Sequence, residues 1–168
     1  MIVIADTTPL ITLLKINHLD ILEDLYGTVH IPLSVYRELT QNVDFPNEAI
    51  AIKNCSFLLV HENIPADRVD LLRRATGLDL GESEAIILAD SVDERTLLID
   101  ESHGRSVAEQ MGIPITGVIG VLMAAYKKKL LSAGQIRESV AIMRSSNRFI
   151  SEALYNLLLG LLEEPLLK

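Results

Sequence analysis

The 168-residue chain is 49% hydrophobic and 23% charged, with a formal net charge of −8 and a sequence pI near 4.9. Such a chain can bury a substantial core, and its acidity argues against nucleic-acid binding through a broad basic surface. A single cysteine, Cys55, excludes an intramolecular disulfide framework, and no signal-peptide pattern or bilayer-length apolar run stands in the sequence, so a cytoplasmic protein without a membrane partner is expected.

The apolar run Met1 to Ala5 predicts a buried strand, and Thr8-Pro9 predicts a helix start, with Thr8 as N-cap and Pro9 at the first helical position. That helix continues through Leu10-Ile11-Thr12-Leu13-Leu14, and a second, Leu19 to Tyr26, ends at Gly27. Val29 to Ile31 reads as a short buried strand, and Pro32 opens the helix that holds Glu38. Phe45-Pro46-Asn47 breaks the chain before a short helix, Glu48 to Asn54. Phe57 to Val60 suits a strand at a sheet edge.

Arg68 to Thr76 predicts a helix ended by Gly77, and Asp79 caps the next one, Leu80 to Ala89. Thr96 to Ile99 is the clearest later strand. A helix over Ser102 to Met111 follows and stops at Gly112, and Ile113-Pro114-Ile115 leads into a last short strand. Helices over Val118 to Leu131, Gln135 to Ser145 and Ser151 to Leu162 complete the chain. This alternation predicts a parallel, Rossmann-like α/β sandwich with right-handed crossovers. One domain over residues 1–168 is expected, with 131–168 as a helical extension packed on it.

Four acidic blocks fall where such a sheet gathers the ends of its elements. Asp6 follows the first strand, Glu38 lies in the helix after the second, Glu82 and Glu84 open an apolar helix, and Asp100-Glu101 closes the run Thr96 to Ile99. Ligands bind at the carboxyl ends of strands in an open parallel sheet. Carboxylates crowded there repel one another unless a cation joins them, and hard ions such as Mg²⁺ or Mn²⁺ are the natural partners. Thr7 and Thr8 place hydroxyls beside Asp6 as supporting groups. Ser102 and Arg105 stand at a helix N-terminus, where phosphate oxygens bind.

The two middle acids need separating. With Asp79 as N-cap, Glu82 occupies the capping-box position. Residues two apart on a helix point about 200° apart, so Glu82 and Glu84 cannot both face one ion squarely. A haloacid-dehalogenase-type phosphotransferase also begins with Asp after its first strand, but it requires a second Asp where Thr8 stands. No glycine-rich phosphate loop follows the strand, and the four histidines share no spacing suited to a metal site.

Taken in order, Asp6-Thr7-Thr8-Pro9-Leu10-Ile11, Ile31 to Leu39, Gly81-Glu82-Ser83-Glu84-Ala85 and Leu98-Ile99-Asp100-Glu101 resemble the acidic blocks of PIN domains, above all the prokaryotic branch related to VapC toxins. The resemblance spans roughly residues 1 to 130, with family-like helices beyond. It implies a three-layer α/β/α sandwich, an RNA substrate and Mg²⁺- or Mn²⁺-dependent cleavage. In toxin members it also implies a cognate antitoxin. Carried over residue by residue, it implies Asp6, Glu38, Glu84 and Asp100 as catalytic ligands. Glu82 and Glu101 stay as secondary candidates, and Thr7, Thr8, Ser102 and Arg105 as substrate-binding ones. Glu at the third position departs from the family's usual Asp, so a catalytically weak or inactive PIN-like module for RNA or protein is the alternative. Ile150, Ala153, Leu154, Leu157, Leu158, Leu161 and Leu162 recur at helical steps, and the apolar surface of that last helix wraps beyond one face. It is expected to pack on the domain and also to line a homodimer or antitoxin contact.

Overall fold

The computed structural model describes residues 1–41, 46–146 and 152–163. The first half runs β1 (Ile2–Ala5), α1 (Thr7–Lys15), α2 (Ile21–Tyr26), β2 (Val29–Pro32), α3 (Leu33–Gln41), α4 (Pro46–Lys53), β3 (Leu58–His61) and α5 (Ala66–Thr76). The second runs α6 (Leu80–Asp90), β4 (Arg95–Leu98), α7 (Ser102–Gln110), β5 (Ile115–Thr116), α8 (Val118–Lys127), α9 (Ala133–Ser145) and α10 (Glu152–Glu163). Of the expectations above, Phe45, Ile150 and Ser151 lie outside the described residues, as does the side chain of Ala153.

All strand pairs are parallel, and the sheet order is β3-β2-β1-β4-β5. The chain winds outward from β1 to β3, then returns to place β4 on the other side of β1. The order therefore reverses between β1 and β4, the place where an open α/β sheet forms its crevice. Ala5 stands opposite Leu98 there, and the Asp6 N–H donates to the Leu98 carbonyl at 3.0 Å, so both strands end level. β3 takes the edge position expected of it.

Alternation along the strands sends their side chains into two cores. Val3, Ala5, Val29, Ile31 and Leu98 face Leu10 and Leu13 of α1, Val35 of α3, Val121 and Leu122 of α8, and Ile136 and Val140 of α9. Ile4, Leu97 and Ile99 face the other way, toward Ala85, Ile86 and Ala89 of α6 and Val107 and Ala108 of α7. The result is the α/β/α sandwich. Leu158 and Leu162 of α10 join the first core, 1% and 5% exposed, whereas Leu157 on the same helix is 61% exposed.

Several helix starts differ from the sequence reading for local reasons. The N-cap of α1 is Asp6 rather than Thr8, so Pro9 sits third in the helix. Its missing N–H is harmless there, because no N–H in the first turn has an intrahelical partner. Pro32 closes β2 opposite His61 instead of opening α3. α9 begins earlier because Ser132 and Gln135 form a capping box. α8 ends earlier than Leu131, where Lys129 turns the chain through a left-handed φ of 62°.

Candidate metal and active site

Asp6 is the floor of the site. It follows β1 directly, is only 3% exposed, and makes no side-chain cap bond to α1 despite its N-cap position. Its carboxyl is raised to about 7 from an ordinary 3.8. Burial is the main cause and the Thr7 N–H opposes it, while the negative charges of Glu82, Asp79 and Glu38 push it further up. Flanking this floor, Glu38 and Asp79 are solvent-exposed at the rim. A Cβ built on Gly81 would lie 3.5 Å from Asp79 Oδ1 and 3.7 Å from Glu38 Oε2, so α6 presents bare backbone between the two acids.

Three of the four carboxylates that head the sequence reading, Glu38, Glu84 and Asp100, each have a protein donor. The Thr7 hydroxyl donates to Glu38 Oε2 at 2.8 Å, and the Ser34 hydroxyl donates to Glu84 Oε2 at 2.5 Å. Asp100 Oδ1 accepts from the Val118 N–H at 3.0 Å, at the start of α8. Ligating carboxylates are commonly held by such outer partners, which fix their orientation while leaving lone pairs for an ion. Thr7, expected to meet substrate, is 4% exposed and turned to Glu38 instead.

Glu82 is bound differently. Its backbone N–H donates to Asp79 Oδ1 at 2.8 Å, and its Oε2 accepts from the Asp79 N–H at 3.2 Å, completing the capping box. A Cβ on Gly104 would come within 3.1 Å of Glu82 Oε1, so its other oxygen lies against α7. Burial raises its pKa, the Asp79 N–H opposes this, and the charges of Asp79 and Glu101 add to the rise. Glu82 thus joins the field around Asp6 while Glu84 turns to α3, one helical turn from Glu38.

The donor set fits a hard divalent cation: carboxylate oxygens, a buried carboxyl whose charged form is disfavoured, and only acidic charges acting on it. Among the described residues no three or more His, Cys, Asp or Glu already stand at metal-binding spacing. Mg²⁺ tolerates that, since it keeps several waters and takes only one or two carboxylates directly.

Beside these acids a cavity of ≈ 780 Å³ opens at the ends of β4 and β5. Thr8, Asp100, Glu101, Ser102 and Arg105 form its polar wall, and Leu154, Leu157 and Leu158 of α10 lie on its apolar one. Arg105 Nη1 donates to the Ile99 carbonyl at 2.9 Å, which ties the guanidinium to the turn carrying Asp100. A Cβ at Gly117 would fall 2.5 Å from Asp100 Oδ1 and 3.2 Å from Arg105 Nη1. Gly117 therefore provides the close approach on which Asp100 depends. Cys55, half-buried and donating to the Ala51 carbonyl, has a thiol pushed up by burial and lies in no catalytic arrangement.

The sequence reading used Asp79 only as a helix cap and gave Gly104 and Gly117 no part in the site. Its one available signal was the Asp79-Leu80-Gly81-Glu82 spacing, which the capping box fully accounts for. No helix among the described residues is long and apolar enough to cross a membrane. No curated protein and no solved structure matches the chain. The family model DUF3368, a PIN domain, matches residues 2–164, and such domains are generally nucleases with a nuclease-like fold. With its parallel sheet, its acids at the β1–β4 switch point and this match over nearly its whole length, the chain belongs to the PIN-domain family.

Proposed function

We propose that the chain is a Mg²⁺- or Mn²⁺-dependent endoribonuclease, the cytoplasmic toxin of a toxin–antitoxin pair, working as a homodimer and held in check by a cognate antitoxin. The observation that carries the reading is Asp6: a buried carboxyl among acids, at the crevice of the sheet. Asp6, Glu38, Glu84 and Asp100 would hold the ion, with Glu82 and Glu101 outside them. Once bound, the ion supplies an activated water and stabilises charge on the leaving oxygen. Thr7 and Ser34 orient Glu38 and Glu84, and Asp6 gives up the proton it holds near neutral pH when its carboxylate takes the ion. Arg105 and the Val118 N–H steady Asp100. Ser102, at the N-terminus of α7, offers backbone N–H groups to a substrate phosphate. Among the described residues, α9 and α10 act as a helical extension of the one catalytic domain.

The test is cleavage of a mixed single-stranded RNA pool as Mn²⁺ is titrated, with a chelated control. Metal-dependent cleavage that Glu84→Gln abolishes supports the reading. RNA binding without cleavage at any metal concentration supports instead the inactive PIN-like module, for which the acidic surface and the Glu at the third position speak.

A further inference from the structure

Parallel pairing of β2 with β3 brings together two histidines that the sequence keeps apart. His30 stands opposite Leu59 and Pro32 opposite His61, so both imidazoles leave the same face of the sheet, one diagonal step apart. His30 Nδ1 and His61 Nε2 are 2.8 Å apart, with ring centroids 5.0 Å apart and ring planes 20° from parallel. Both side chains are half-buried, within reach of an ion from solvent. Burial and the facing His61 lower the pKa of His30, which favours the neutral, ligating form.

Transition metals bind imidazole nitrogen at about 2.0–2.1 Å, so two nitrogens at right angles around one ion lie about 3 Å apart. The observed separation is close to that; the two nitrogens now face each other along a hydrogen bond, and a turn of roughly 45° by each ring aims both lone pairs at a shared ion at that bond length. Imidazole suits Cu²⁺, Ni²⁺ and Zn²⁺, and the first two favour tetragonal sites with right-angled ligands. We propose that His30 and His61 form a two-imidazole site for a borderline divalent transition metal, Cu²⁺ above the others, separate from the carboxylate site. Water completes the coordination. In the metal-free pair one ring donates its N–H to the other. On binding, that ring passes to its other tautomer through solvent, and the pair stays neutral.

The experiment is a Cu²⁺ titration of the full chain in excess Mg²⁺, which competes for the carboxylates, followed by calorimetry and electron paramagnetic resonance. The expected result is one tightly bound ion whose spectrum shows two imidazole nitrogens. His30→Gln and His61→Gln should each weaken binding by at least the roughly 10- to 100-fold that loss of a mere supporting partner costs a metal site. His18→Gln and His103→Gln should leave it unchanged, and circular dichroism checks that each variant folds. Undiminished affinity in folded His30→Gln and His61→Gln would overturn the proposal. If either variant fails to fold, the parent spectrum decides: one imidazole nitrogen or none overturns it.

Discussion

Asp6 makes the sharpest statement that a single residue can make here. Its folded-state pKa of about 7 lies above the ordinary 3.8, so the folded protein keeps a proton that the unfolded chain has already released. Stability from this group is therefore fully present below about 3.8 and is lost as pH rises through 7. The full penalty is on the order of 4 kcal/mol in the absence of metal. Asp6→Asn should raise the melting temperature at pH 8, and the advantage should disappear near pH 4; a constant gap across that range would refute the burial argument. Gly117 supplies a second test. Its extended backbone suits alanine, yet the new methyl would displace Asp100 from the Val118 N–H. Gly117→Ala should lower stability by about 1 kcal/mol, as for loss of a helix cap, and reduce nuclease activity with it. A neutral melting temperature would show that Asp100 has room to move.

At the level of elements, α6 sends two acids to different partners within three residues. Glu82 closes a capping box and lies against α7, whereas Glu84 turns to Ser34 on α3. Glu82→Ala should cost about 0.5–1 kcal/mol of helix stability. Glu84→Gln should abolish cleavage with the melting temperature unchanged. Equal loss of activity in both, without loss of stability, would reverse the assignment. Much of this was legible in sequence, because Asp6 and Asp100 follow apolar strands and the Asp79–Glu82 spacing has a local meaning. What escaped the sequence depends on contacts across the fold. The N-cap of α1 falls on Asp6 because the chain enters α1 straight from the end of β1, where the Asp6 N–H still pairs with the Leu98 carbonyl of β4. The partnership of Thr7 with Glu38 needs α1 beside α3, and that of His30 with His61 needs the register of β2 on β3.

For the whole molecule, α10 and the charge distribution matter most. Leu158 and Leu162 anchor α10 in the core, while Leu154, Leu157 and Leu161 remain 37%, 61% and 37% exposed. If this exposed stripe joins two copies, Leu157→Glu should convert a dimer to a monomer in analytical ultracentrifugation without altering the fold. A parent that sediments as a monomer at micromolar concentration would remove the homodimer. A net charge of −8 disfavours RNA overall, so substrate binding should depend on the divalent ion rather than on a broad basic face. Arg73, Arg74 and Lys127 to Lys129 are exposed but lie on the last turn of α5 and at the end of α8. The most direct measurement of the central claim is calorimetry of Mn²⁺ binding at pH 7, run in two buffers of different ionisation enthalpy. With Asp6 titrating near 7, an ion that binds its carboxylate should release about half a proton, and Asp6→Asn should lose both the affinity and the proton release. Undiminished Mn²⁺ binding in Asp6→Asn would contradict the account.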